Sequence, residues 1–200
     1  MAKLYFRYGA MNSGKTANLL MVADNYIKQD KHVIILKPDK DTRWNMAAEV
    51  KSRAIVSSQP AVLIDDSFNL RDYISEQTEI KEISAILVEE AQFLTAAQVR
   101  ELAIIVDELN IPVLCYGLRC SSLDGELFEG SAALFYWADT IEEVKNICQY
   151  CDKKATKNLR RLNGVPKYDG DFVCMGDVNS EDEITFAPVC RKHYLNPPAV

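Results

Sequence analysis

The stretch Gly9-Ala10-Met11-Asn12-Ser13-Gly14-Lys15-Thr16 constrains what this chain can fold into more than any other. It fits the pattern G-x-x-x-x-G-K-[ST], in which each part has a physical task. Glycines at both ends let the backbone curl until successive N–H groups point inward at phosphate oxygens. Lys15 would reach the β- and γ-phosphates of a nucleotide, and the Thr16 hydroxyl would sit on Mg²⁺. Such a loop works between a strand and a helix. Residues 4–8 before it read as a strand rich in aromatics. Over residues 16–29, Leu19, Leu20, Val22, Ala23, Tyr26 and Ile27 recur at helical spacing. The positive end of that helix dipole would face the same phosphates. The plainer alternative is a Gly-containing turn before an ordinary helix.

Further elements fit around this unit. Residues 32–36 (HVIIL) and 85–88 (AILV) are continuous apolar runs of strand length, as expected for strands buried on both faces. Residues 112–116 form the next strand, and 53–56 and 62–64 are weaker candidates. A short helix is expected over 68–74, and Thr95 is the N-cap candidate of a helix reaching about Asn110. This alternation predicts an α/β fold: a P-loop (RecA-like) parallel sheet flanked by helices. Residues 117–130 read as a loop, 131–137 as a short helix, and 141–147 as a strand.

The 200 residues are 48% apolar and 26% charged, enough for a real core. No apolar run approaches the ~18 residues of a membrane span. The start Met1-Ala2-Lys3 lacks the apolar region of a secretory leader, so a cytoplasmic location is expected. A net charge of −6 argues against a nonspecific grip on nucleic acid, which depends on phosphate neutralisation. The basic run Lys153, Lys154, Lys157, Arg160 and Arg161 reads as a solvated face, with a local nucleic-acid patch as the alternative.

Six cysteines in such a setting point away from disulfides. Cys148 and Cys151 form a CxxC, and Cys190 and His193 a CxxH; two such knuckles supply the four ligands of a structural Zn²⁺ site. A redox CxxC beside an unrelated CxxH is the competing reading. Cys115, Cys120 and Cys174 have no partner at ligand spacing and read as core or loop thiols. The segment 148–193 has few large apolar residues, so a bound metal would supply what its core lacks. A boundary near residue 147 therefore divides a nucleotide-binding domain (1–147) from a small zinc-binding domain (148–200).

Glu89 and Glu90 end the apolar run at 85–88, where phosphate-loop enzymes keep an acidic residue for Mg²⁺. One carboxylate can orient metal while the other accepts a proton from an attacking hydroxyl. A solvated pair opening a helix is the alternative. Around them stand, in order, G-x-M-x-S-G-K-T, Asp41-Thr42-Arg43, E-x-Q-F from Glu90 to Phe93, Y-G-L-R from Tyr116 to Arg119, G-E-L-F-x-G-S from Gly125 to Ser131, CxxC and CxxH. This ordered set resembles the cytosolic-type (type II) thymidine kinases over essentially the entire chain.

The resemblance implies ATP-dependent phosphorylation of the thymidine 5′-hydroxyl to dTMP. It gives Glu90 the role of general base, places Arg43 near the transferring phosphate and Lys15 on the donor phosphates. Gly9, Ala10, Met11, Asn12, Ser13, Gly14, Lys15 and Thr16 would bind the donor, with Glu89 on its metal. Met11, Phe93 and Phe128 match residues lining the thymine pocket, and Phe186 a ring of the lasso that reads the base edge. Cys148, Cys151, Cys190 and His193 match the structural zinc site. A homotetramer, a need for Mg²⁺ and feedback inhibition by dTTP are implied as well, with no membrane or nucleic-acid partner. The chain departs from the family pattern in four places. Glu89 replaces Asp, the loop from Arg119 to Asp124 lacks an aromatic and is one residue longer, Phe186 replaces Tyr, and Asn12 replaces an aromatic. These departures leave deoxyuridine beside thymidine as a candidate substrate. Two other readings remain: a P-loop ATPase whose zinc ribbon binds nucleic acid, and a non-catalytic nucleotide-binding partner.

Overall fold

Strand β1 (Leu4–Gly9) alternates its side chains between two hydrophobic clusters, with Leu4 and Phe6 in one and Tyr5 against the other. The computed structural model describes residues 1–40, 48–52, 54–123, 126–170 and 183–199. Helix α1 (Lys15–Ile27) follows, then β2 (Val33–Pro38), β3 (Glu49–Lys51), β4 (Ser58–Pro60), β5 (Val62–Ile64) and α2 (Leu70–Ile80). Strand β6 (Ala85–Val88) leads through a 3₁₀ turn, Ala91–Phe93, to α3 (Ala96–Leu109). Then come β7 (Val113–Leu118), α4 (Glu129–Trp137) and β8 (Thr140–Glu143). The chain continues with β9 (Lys157–Leu162), β10 (Val165–Pro166), β11 (Ile184–Val189) and α5 (Arg191–Leu195).

Six strands form one sheet in the order β5-β2-β6-β7-β1-β8, and every neighbouring pair is parallel. The parallel α/β architecture read from the apolar runs is therefore the observed one. Both central runs are fully or nearly fully buried, because helices cover both faces. Ile34, Leu36, Ile86 and Val88 point to the side covered by Leu70 and Ile74 of α2, Val99, Leu102 and Ile105 of α3, and Leu134 of α4. Ile35, Leu87, Leu114 and Tyr116 point to the opposite side, against Leu19, Leu20 and Ala23 of α1. Parallel strands bring their carboxyl ends to one edge, the place where ligands bind in open α/β sheets.

Several boundaries differ from the sequence reading. Helix α2 is longer than expected and starts at Asn69, whose side chain accepts from the Asp72 N–H. Its second half carries polar residues, and only Leu70 and Ile74 are buried, so the apolar spacing stops before the helix does. Residues 54–56 form a bend instead of a strand, while Arg53 lies outside the described residues. Strand β7 runs on to Leu118 and α4 begins at Glu129, which shortens the expected loop at both ends. Strand β8 stops at Glu143; Val144 still donates to Tyr8 O at 2.7 Å, and the chain then turns away from the edge of the sheet. At Thr95 the capping box is complete: its side chain accepts from Gln98 N, and Gln98 returns a bond to Thr95 N.

Beyond the sheet, β10-β9-β11 form a three-stranded antiparallel sheet with its own small cluster: Cys148, Leu159, Ala187, Val189, Cys190 and Tyr194. The basic run is a solvated face only in part: Lys153 and Lys154 are exposed and Lys157 is half-buried, but the two arginines are not. Arg160 and Arg161 are 3% and 5% exposed, with Arg161 donating to Gly164 O and Pro198 O at 2.7 and 2.8 Å. Adjacent on the central strand of the small sheet, they point to its opposite faces, where Arg160 caps Asp169 O and Arg161 the carbonyls of Gly164 and Pro198. Among the described residues, no helix is long and apolar enough to cross a membrane.

Candidate active site and metal centre

The loop between β1 and α1 closes through left-handed backbone at Asn12 and Gly14, with φ of 58° and 85°. A side chain at Gly9 would put its Cβ 2.5 Å from Ser13 Oγ and 2.6 Å from Val144 O, so only glycine fits there. Lys15 is buried and donates to Ala10 O at 2.9 Å, which folds its ammonium back over the loop. Thr16 Oγ1 donates to Glu89 Oε1 at 2.5 Å. Strand β6 supplies that contact because its alternation continues past Val88, and Glu89 emerges on the side where α1 packs. A hydroxyl and a carboxylate meeting at a phosphate loop make a hard-oxygen pair that suits Mg²⁺. The methylene that distinguishes Glu from Asp does not keep this carboxylate from reaching Thr16.

Glu90 takes left-handed backbone, φ 48°, and is 8% exposed. A non-glycine residue in that conformation stores strain, which the surroundings must hold in place. They do so through Gln92: Nε2 donates to Glu90 Oε2 at 2.5 Å, while Gln92 Oε1 accepts from Leu118 N–H at 3.0 Å. Gly117 and Gly130 allow the close fit. A Cβ on Gly117 would lie 3.0 Å from Gln92 Oε1, and one on Gly130 would lie 2.5 Å from Ala91 O. Phe93 and Phe128 pack edge to face with centroids 5.4 Å apart. Phe186 is half-buried on β11, opposite Arg160. Arg43 lies outside the described residues, as do the rest of the Asp41-Thr42-Arg43 triplet and Cys174.

The knuckle residues converge. The ligand atoms of Cys148, Cys151, Cys190 and His193 all lie within 4.8 Å of one another. Cys151 Sγ is 3.8 Å from Cys190 Sγ, and His193 Nδ1 is 3.3 Å from Cys148 Sγ and 3.7 Å from Cys190 Sγ. Zinc bonded at about 2.3 Å to sulfur and 2.0–2.1 Å to nitrogen sets tetrahedral ligands roughly 3.6–3.8 Å apart. Donor set and spacing therefore fit a Cys₃His zinc site. By contrast, burial pushes the Cys115 and Cys120 thiols up, which keeps both protonated and inert, as core thiols should be.

Some residues at the site carried no motif. Arg7 donates to Tyr116 Oη and Asn18 Oδ1 at 2.9 and 3.0 Å and to Glu142 at 2.8 Å, tying the first turns of α1 to three strands. Asn158 and Asn146 bond the backbone of Met11. These contacts join positions up to 147 residues apart, and a single asparagine offers no periodicity or spacing to read.

Comparison with known proteins gives one family. The thymidine kinase family model matches residues 2–194. A thymidine kinase of Streptococcus pyogenes serotype M28 is 44% identical over 197 residues, covering 98% of this chain and 99% of the relative. One of Streptococcus agalactiae serotype Ia is 45% identical over the same span. Among solved structures, a Pif1 helicase from Candida albicans superposes with a TM-score of 0.43 and 13% identity over 74% of this chain and 36% of its own. That likeness is too low to bear on function.

Proposed function

Because the chain belongs to the thymidine kinase family, we propose that it transfers the γ-phosphoryl group of ATP to the 5′-hydroxyl of thymidine. The observation that carries this reading is the junction between Thr16 and Glu89 at 2.5 Å, with Glu90 next in sequence and buried. It joins a loop shaped for phosphates to a carboxylate pair suited to metal and proton.

In this reading residues 9–16 cradle the triphosphate, and Lys15 swings from Ala10 O to the β- and γ-phosphates. Thr16 and Glu89 would hold Mg²⁺, which when bound neutralises charge on the donor phosphates. Glu90, aimed by Gln92, accepts the proton of the 5′-hydroxyl as its oxygen attacks phosphorus and ADP leaves. Arg43 would stabilise the charge on the transferring group. Met11, Phe93, Phe128 and Phe186 would enclose the base, with the edge-to-face pair of Phe93 and Phe128 as its apolar wall. Cys148, Cys151, Cys190 and His193 would hold Zn²⁺, which would support the fold of residues 148–200 beside the nucleotide-binding part, residues 1–147. Family resemblance supports a cytoplasmic homotetramer inhibited by dTTP. The burial of Arg160 and Arg161 takes two of five charges from the basic face that a nucleic-acid ribbon would need, leaving Lys153, Lys154 and Lys157.

A panel of deoxynucleosides with radiolabelled ATP and Mg²⁺ tests this directly. Label should pass to thymidine, with deoxyuridine as the closest competitor. Hydrolysis of ATP without transfer to any nucleoside would refute it.

A further inference from the structure

The hairpin carrying the first knuckle reaches back to the phosphate loop through two asparagines. Asn158 Oδ1 accepts from the Met11 N–H at 2.8 Å, and Asn146 Nδ2 donates to Met11 O at 3.0 Å. Both peptide groups flanking one Cα are thereby pinned from outside the loop. Asn158 is 2% exposed and Met11 half-buried, so water competes little for the bond between them.

Asn146 stands at the foot of a hairpin, and Asn158 follows its second arm on β9, paired with Pro188 of β11. Ala155 N–H donates to Asn146 O at 2.8 Å, Ile147 bridges Lys154, and Cys148 N–H donates to Lys153 O at 2.8 Å. Cys148 and Cys151 lie at its tip, within the ligand cluster. The next residue after Met11, Asn12, has left-handed backbone, so the loop bends sharply where the hairpin grips it.

We propose that Asn146 and Asn158 are positioning residues for the kinase reaction. They fix Met11 between the metal hairpin and the phosphate loop, so that order in the Cys/His cluster sets the shape of the nucleoside pocket. The inference rests on the reading of residues 9–16 as the donor loop and of Met11 as a wall of the base pocket.

Steady-state kinetics of the zinc-loaded protein against thymidine test it, with zinc content and thermal midpoint measured alongside. Asn146→Leu and Asn158→Leu keep the volume and lose the hydrogen bonds. Each should raise the thymidine KM about tenfold with a much smaller change in kcat, the scale of one buried hydrogen bond. The double variant should add little, since either loss frees Met11. Asn146→Asp has no donor for Met11 O and should behave like the Leu variant. A wild-type KM in both Leu variants, or wild-type behaviour of Asn146→Asp, would overturn the clamp while leaving the kinase reading intact. No phosphorylation of thymidine by the unaltered protein would overturn that reading and the clamp with it. If Asn158→Leu loses zinc or fails to fold, the pair at the more exposed Asn146 decides alone.

Discussion

Around the phosphate loop, Leu19, Leu20 and Ala23 of α1 press on Ile35, Leu87, Leu114 and Tyr116 of the large sheet, and a second cluster fills the other face. Behind the knuckles the fully buried apolar set shrinks to Leu159, Ala187, Val189 and Tyr194 beside the two cysteines Cys148 and Cys190. The first region can hold Glu90 in left-handed backbone because Gln92 bonds its carboxylate and close approaches at Gly117 and Gly130 fix Gln92 in turn. The second has too little apolar surface for that, and its four ligands share the work of holding three strands and a short helix together. The proposed base thus lies where packing is dense, and the four candidate metal ligands lie where it is thin.

The largest effect separating the regions should come from Glu90→Gln. Turnover should fall by about 10² or more while ATP binding stays near normal, because a positioned base contributes ~10²–10⁴. Single-turnover kinetics beside ATP titration reads both, and near-normal turnover would remove Glu90 from the role. Chelation of zinc should act on the other region first. Hydrogen exchange should quicken in β9 and β11 while β6 and β7 keep their protection; uniform quickening would mean the large sheet depends on the metal too.

Gly130→Ala sharpens the claim that dense packing aims the base. Its Cβ would lie 2.5, 2.8 and 2.9 Å from the carbonyl oxygens of Ala91, Leu94 and Gln92, so α4 or the 3₁₀ turn must move. Denaturant unfolding should show a loss of about 1–3 kcal/mol, the scale of overpacking, together with reduced turnover at saturating ATP. Unchanged turnover would show that Gln92 does not need that fit to hold Glu90. Smallest of all, Thr95→Ala removes one half of the capping box and should cost about 1 kcal/mol. Its kinetics should match those of the unaltered protein, since α3 lends the sheet stability and no group to the reaction.

Much of this was legible in the chain. The G-x-x-x-x-G-K-T run is local: its glycines, lysine and threonine act within one turn of backbone, so their order alone states the chemistry. Paired CxxC and CxxH spacings are local in the same sense, and the apolar runs at 32–36 and 85–88 carry the mark of strands buried on both faces. Helix α2 was only half visible because its outer turns carry the polar residues of a solvated face. Arg160 and Arg161 misled because charge predicts exposure, and backbone carbonyls that satisfy a buried guanidinium leave no mark in composition.

Residue types and spacings by themselves determined a glycine-rich turn between strand and helix, an acidic pair at the end of a buried strand, a converging Cys₃His set and the sheet that carries the first two. Only the tertiary structure decided that Glu89 meets Thr16, that Gln92 aims Glu90, and that Asn146 and Asn158 grip Met11. The reason is physical. A motif encodes interactions between neighbours along the chain, whereas a hydrogen bond across more than a hundred residues exists only once packing has fixed both partners.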